Sequence, residues 1–233
     1  MVDYAPRFQS KYDDVHRSRQ MIAQGKHREL IGGKWDEIGQ LQLDFLQSKG
    51  LQPHHRVLDV GCGCLRAGVK IIPYLDPGNY FGIDGEKQLL EVGFHEELCL
   101  AGIQERMPRE NLFHSKLFKH GRLTPESIDY GISVSVMTHR PFNFLRIALW
   151  NLATFFKPGG ALYLTFFEIP EGANYAESLP SKCGDWATTG HADPYHYYRS
   201  DMEYGAHGTR WQAEYIGDWD HPRGQMMMAY TRS

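Results

Sequence analysis

The sequence predicts an α/β protein: a doubly wound mixed sheet of about seven strands, mostly parallel, with an antiparallel C-terminal hairpin, N-terminal helices and a lid loop. Three observations carry this. Apolar strand-like runs alternate with helical patterns from Val57 to Glu168, a glycine-rich turn follows the first of these runs, and two further strand candidates close the chain. Strands that alternate with helices imply right-handed crossovers, which place ligand sites beyond the carboxyl ends of the strands.

The elements follow in order. From Tyr4 to Lys49 apolar residues recur at helical spacing, as at Ile38, Leu41, Phe45 and Leu46, with an interhelical bend at Gly32-Gly33 and a closing glycine at Gly50. RVLDV after Pro53 is a strand, and LRAGVKIIPYL suits a helix ending before Pro77-Gly78. YFGID is a strand and EKQLLEVGFHEELCLAG a helix. NLFHSKLF is a short third unit, IDYGISVSV a buried strand, and FNFLRIALWNLATFF a helix. KPGG then turns into the strand ALYLTFFE.

From Ile169 to about Tyr195 periodicity fails, and Pro170, Gly172, Pro180, Gly184 and Gly190 mark a long loop, read as a lid. TRWQAEYIGDW and GQMMMAYTR, separated by the turn DHPRG, read as the final antiparallel strands. The expected organisation is one domain over 1–233: a helical cap (1–50), a cofactor-binding core (51–168), a lid (169–200) and C-terminal strands (201–233).

Composition narrows the function classes. With 42% hydrophobic and 23% charged residues, the chain is globular rather than disordered. A formal charge of -3 supplies no global positive field for nucleic acid or anionic membrane, so a small molecule is the expected partner. The N-terminus lacks an apolar signal core and no segment approaches a membrane span, so a cytoplasmic location is expected. Cys62, Cys64, Cys99 and Cys183 are too few and too irregular for a disulfide scaffold, which fits a reducing compartment. No metal is expected: Cys62 and Cys64 lack a companion pair, and His191, Asp193 and His196 do not form an established ligand spacing.

The stretch VLDVGCGCLRAG, Val57 to Gly68, carries the most chemistry. Gly61 and Gly63 let backbone approach a ligand at the end of a buried strand, and Asp59 points a carboxylate toward the same region. About 25 residues on, YFGID ends in Asp84, where an acidic side chain in a nucleotide-binding βαβ unit accepts hydrogen bonds from ribose hydroxyls. An NAD fingerprint would place its third glycine at Arg66, where arginine prevents the close helix packing.

These residues resemble class I S-adenosylmethionine-dependent methyltransferases, whose first-strand motif, acidic-x-Gly-x-Gly-x-Gly, is matched by Asp59, Gly61 and Gly63 with Cys64 at the third glycine position. The resemblance runs from Trp35 to Glu168 through Asp84, SVSVMTHR and KPGG, and implies a Rossmann-like fold with S-adenosylmethionine as cofactor. It further implies that Gly61 and Gly63 approach the methionine part, Asp59 orients its amino group, Asp84 holds the ribose, and Lys116, Leu117 and Phe118 border the adenine. GGKW resembles a segment that folds over the cofactor in some small bacterial relatives, which would make Trp35 part of a cover; a plain interhelical bend is the alternative.

In the reacting half, His139 of MTHR is the acid/base candidate, since its place after the fourth strand faces the cofactor and an unperturbed imidazole titrates near neutrality; orienting substrate or bonding the lid are its other roles. Tyr175 and the aromatics from Trp186 to Tyr198 are candidates to face a sulfonium cation, with ordinary packing as the alternative for half of them. The first expected reaction is methyl transfer to an oxygen or nitrogen of a small-molecule acceptor, in natural-product biosynthesis for example. A second keeps the cofactor without an acceptor: as in the azetidine-2-carboxylate synthases that the chain could resemble, the α-amine attacks Cγ and expels methylthioadenosine, with Tyr175 against the sulfonium and His139 near the amine. A third is a non-catalytic binding module. The oligomeric state is not encoded in any of these motifs.

Overall fold

A computed structural model describes residues 14–119, 122–182, 184 and 186–233. The start of the expected N-terminal helix, Tyr4 to Asp13, and Cys183 lie outside the described residues.

The described residues begin with three helices: α1 (Val15–Ala23), α2 (His27–Leu30) and α3 (Trp35–Ser48). Asp14 caps α1 by accepting the Arg17 N–H at 2.9 Å. The chain bends at Gly25 as well as at Gly32-Gly33, so the expected single interruption is two. α3 ends at Gly50 as its sequence predicts, with the Leu51 N–H returning to the Leu46 carbonyl at 3.0 Å.

The alternating core follows: β1 (Val57–Val60), α4 (Gly68–Tyr74), β2 (Tyr80–Asp84) and α5 (Lys87–Val92), which continues through a π-helical turn (Gly93–Glu97) into α6 (Leu98–Leu100). Then come β3 (Leu112–His114), β4 (Ile128–Ser133), α7 (Phe142–Leu152) and β5 (Phe156–Glu168). The chain closes with β6 (Leu179–Pro180), β7 (Ala187–Thr188), β8 (His196–Tyr197), α8 (Arg199–Gly205), β9 (Trp211–Asp218) and β10 (Met226–Arg232).

The main sheet runs β3-β2-β1-β4-β5-β10-β9. Its first five strands are parallel, and β10 lies antiparallel to both β5 and β9. Strand direction therefore matches the expectation. The order reverses between β1 and β4, and a crevice opens at such a switch point above the strand ends.

Alternation along the strands sends side chains to two cores. Leu58, Val60, Phe81, Leu162, Leu164 and Tyr230 pack under α7, where Leu145, Leu149 and Leu152 are buried. Val57, Ile132, Tyr163 and Met227 pack on the other face against Ile38 and Leu46 of α3, Ile71 of α4 and Leu90 of α5. Asp59 lies in phase with Val57 and so points among the helices of this second face.

Two details depart from the sequence reading. KPGG lies within β5 rather than before it, with the pairing to β4 shifted between Ile128 and Tyr130. Helix α8 interrupts the region expected to hold only strands. Its start is marked by Asp201, whose carboxylate accepts the Tyr198 N–H at 3.0 Å.

Candidate functional site

The turn after β1 is built for close approach. The N–H groups of Gly61 and Cys62 both donate to the Ile83 carbonyl, at 2.7 and 3.2 Å, tying the turn to β2. Gly61 has φ +78, and a Cβ there would lie 2.2 Å from Val136 Cγ2. Only glycine fits both the backbone and the gap. Cys62 and Cys64 are buried, and burial pushes the Cys64 thiol up to about 12 and the Cys62 thiol up as well. Both are packing groups, since the thiolate is the reactive and ligating form.

Two acids flank this turn. Asp84 ends β2, and its Oδ2 accepts the Gly63 N–H at 2.8 Å while Oδ1 accepts the Glu86 N–H at 2.7 Å. Burial raises its carboxyl, and these two N–H groups oppose the rise. Each oxygen keeps a lone pair for a ligand hydroxyl. Asp59 is 3% exposed and accepts the Tyr80 hydroxyl on Oδ2 at 2.6 Å. Burial pushes its carboxyl up to about 7, against the Tyr80 hydrogen bond and the charge of Arg66.

A pocket opens beyond the ends of β1, β2 and β4. Asp59, Gly61, Gly63, Asp84 and His139 all line it, so five of the residues singled out in the sequence come together. Lys116 and Phe118 stand on its wall, next to Asp84 and Glu86.

Three sequence candidates stand elsewhere. Leu117, between two lining residues, is 46% exposed and turned outward, with its carbonyl accepting from Asn151 at 2.8 Å. Trp35 packs instead with Leu30, Cys64 and Leu89 beneath the Arg28 guanidinium, which lies 4.5 Å from its ring. Tyr175 lies over Gly190 and donates its hydroxyl to the Gly190 carbonyl. None of the three is among the pocket's lining residues.

The segment 169–200, expected as a lid, lies apart from the lining of this pocket. No described residue of it lines the pocket. Its aromatics are spent on packing: Tyr195 and Tyr197 are each 4% exposed, and Trp186 meets Phe167 edge-on. His196 uses both ring nitrogens internally, Nε2 donating to the Tyr175 carbonyl and Nδ1 meeting the Thr188 hydroxyl, each at 2.9 Å. The cover comes from the other end of the chain, where Val15 and Ser18 of α1 and Ile31 after α2 face the pocket. Gly32-Gly33 anchors this cover, since Arg66 donates to the Gly33 carbonyl at 3.0 Å and Arg223 donates to the Gly32 carbonyl.

The segment does reach one lining residue, His139. Asp193 Oδ1 accepts from Nδ1 of His139, on the 3-10 turn Met137–His139. A carboxylate can only accept, so Nδ1 carries the proton in this contact. The neighbouring N–H of Tyr195 donates to the Thr138 carbonyl at 2.7 Å and holds the two segments in register. In the sequence Asp193 appears only in a metal reading that is set aside, so its pairing with His139 is missed there. Sequence reasoning also passes over Arg66, Glu86 and Ser135, which line the pocket; Glu86, two residues after Asp84, is the one with a local signal.

No family model matches the chain. Solved structures do resemble it. Magnesium protoporphyrin IX methyltransferase from Synechocystis, with bound S-adenosylmethionine, superposes with a TM-score of 0.62 at 15% identity, covering 95% of this chain and 98% of that one. An amino pentose methyltransferase of calicheamicin biosynthesis from Micromonospora echinaspora gives 0.60 at 15% identity over 95% and 96%. A TehB-like S-adenosylmethionine-dependent methyltransferase from Corynebacterium glutamicum gives 0.59 at 14% identity over 94% and 99%. The chain has the Rossmann-like fold of class I S-adenosylmethionine-dependent methyltransferases. Within that fold, the glycine turn and Asp84 stand at the mouth of the switch-point crevice.

Proposed function

We propose that the protein is an S-adenosylmethionine-dependent methyltransferase acting on an oxygen or nitrogen of a small molecule. The observation that carries this reading is one pocket in which the Gly61 turn, the Asp84 carboxylate and His139 meet. Solved proteins of the same fold hold S-adenosylmethionine, and the residues here suit it: Gly61 leaves no side chain in the way, and Asp84 retains acceptor capacity for ribose hydroxyls.

Bound S-adenosylmethionine would supply an electrophilic methyl on a sulfonium. Asp84 holds the ribose, Lys116 and Phe118 border the base, and Asp59 faces the amino group of the methionine part. His139 Nε2 would take the proton from the acceptor's O–H or N–H, with Asp193 holding the ring in the tautomer this requires. Removal of water by the α1 cover strengthens these contacts.

The cyclising alternative is expected to set Tyr175 against the sulfonium. Tyr175 is packed elsewhere, which leaves methyl transfer the better supported reading. Mass spectrometry of the purified protein with S-adenosylmethionine alone, and then with a panel of amine, phenol and carboxylate acceptors, tests it. Methylated acceptor and S-adenosylhomocysteine are expected only when an acceptor is present. Methylthioadenosine with azetidine-2-carboxylate in the absence of acceptor would replace it with cyclisation, and binding without product across the panel would favour a non-catalytic role.

A further inference from the structure

The bend GGKW and the turn DHPRG lie far apart in the chain and meet at the edge of the cover, where Arg223 donates to the Gly32 carbonyl. His221, in that turn, is fully buried, and its ring stacks on Trp219 with centroids 5.4 Å apart and planes 22° from parallel. Nδ1 accepts the Arg223 N–H at 3.3 Å, so the proton of the neutral ring sits on Nε2. That Nε2–H is buried and has no hydrogen-bond partner among the described residues. A buried donor without an acceptor is costly, and folded proteins keep few of them unless a ligand or an ordered water accounts for each.

The charges that bear most on this ring are positive. Burial pushes its pKa down to about 3, and Arg66, Arg223, Lys34 and Lys182 push it the same way, so the imidazole is neutral. Lys34 is matched by Glu37 at 2.8 Å, whereas Arg223 and Lys182 meet no carboxylate among the described residues. Both are placed by glycines. A Cβ on Gly32, whose φ is +96, would come within 3.0 Å of Arg223 Nη1, and a Cβ on Gly224 would stand 3.5 Å from Lys182 Cδ. Two residues without side chains thus make room for two cations beside one orphaned donor.

We infer that this cluster binds an oxyanion, the carboxylate or phosphate of the methyl acceptor, which takes the His221 Nε2–H and lies against Arg223 and Lys182. A donor set among cations suits an anion better than a water, because each contact to it is charge-assisted. The cluster meets the pocket through Arg66, which lines it, and through Ile31, the neighbour of Gly32. His221, Arg223 and Lys182 are not lining residues, so the oxyanion is held at the margin while the reacting atom reaches inward. Lys182 is exposed and Arg223 half-buried, so flexible side chains rather than backbone guard the approach. Assignment to the acceptor rests on the methyltransferase reading above; the oxyanion site itself does not.

The test follows the His221 ring nitrogens by NMR in protein carrying isotope-labelled histidine, while inorganic phosphate is added at constant ionic strength with and without S-adenosylhomocysteine. The signal is assigned by its loss in His221→Gln. Movement of the Nε2 signal that saturates below about 10 mM phosphate is expected. Lys182→Glu, a charge reversal at an exposed position, should weaken phosphate about tenfold and leave S-adenosylhomocysteine within about twofold. Movement that never saturates, or equal phosphate affinity in Lys182→Glu, would overturn the site. Competition between phosphate and S-adenosylhomocysteine would overturn it too, by assigning the anion to the cofactor. Among methylated acceptors, acids should exceed their methyl esters about tenfold or more in kcat/KM, and the reverse order would remove the acceptor from the site. Saturable phosphate binding by a protein that binds no S-adenosylhomocysteine would overturn the methyltransferase reading and leave the oxyanion site standing.

Discussion

The imidazole of His139 is held by the carboxylate of Asp193, 54 residues away, at the rim of the pocket. If His139 is the base, His139→Ala should lower kcat by about 10²- to 10⁴-fold with little change in donor binding. Asp193→Asn, which acts through His139, should lower kcat by a smaller factor and leave S-adenosylhomocysteine affinity intact. Equal losses of kcat and affinity in Asp193→Asn would mark Asp193 as merely structural.

Asp84 has two duties, bracing the turn through the Gly63 N–H and offering its outer lone pairs to a ribose. Asp84→Asn keeps the shape, removes the charge and replaces one acceptor oxygen with a donor. Affinity for S-adenosylhomocysteine should fall by about ten- to a hundredfold. An unaltered calorimetric Kd would remove the ribose assignment.

The part of this site that is legible in the sequence is the part made by neighbours in sequence. Asp59, Gly61 and Gly63 share one turn, and Asp84 ends the next strand, so short motifs report their geometry. The His139–Asp193 contact is set by the packing of β8 beside β5, which no local pattern encodes. Tyr195, His196 and Tyr197 mislead for a related reason. Glycines and prolines make the stretch read as an open lid, whereas the tyrosines are buried by long-range contacts. Helix α1, whose Val15 and Ser18 line the pocket, has an ordinary helical pattern with nothing in it that names its partner.

The burial of Asp59 predicts a dependence of stability on pH. Its carboxyl rises from an ordinary 3.8 to about 7 in the fold, so the folded state holds a proton that the unfolded chain releases. This contribution is present in full below about pH 4 and is lost as pH rises through about 7. Asp84 is displaced in the same direction. Tm of the ligand-free protein should therefore fall between about pH 4 and pH 7, and Asp59→Asn should flatten part of that fall. A wild-type Tm that climbed over this range would contradict the assignment.

Glu97 works in the opposite sense and at the base of the cover. It is 2% exposed and accepts His27 Nε2 at 2.6 Å and Arg28 Nε and Nη2 at 2.7 and 2.6 Å, clamping α2 to the π-helical turn. Burial alone would raise its carboxyl, but the hydrogen bonds and charges of Arg28 and His27 outweigh it and hold it below the usual range. Its contribution is thus present above about pH 4.5 and lost as pH falls further. Glu97→Ala leaves Arg28 and His27 without their acceptor and should cost about 2–4 kcal/mol, a value reduced by the half-exposure of Arg28. Because Ile31, one residue beyond α2, lines the pocket, the same variant should also speed release of S-adenosylhomocysteine. Stopped-flow dissociation measured beside thermal unfolding checks both effects. A destabilised variant with an unchanged off-rate would separate the clamp from the cover.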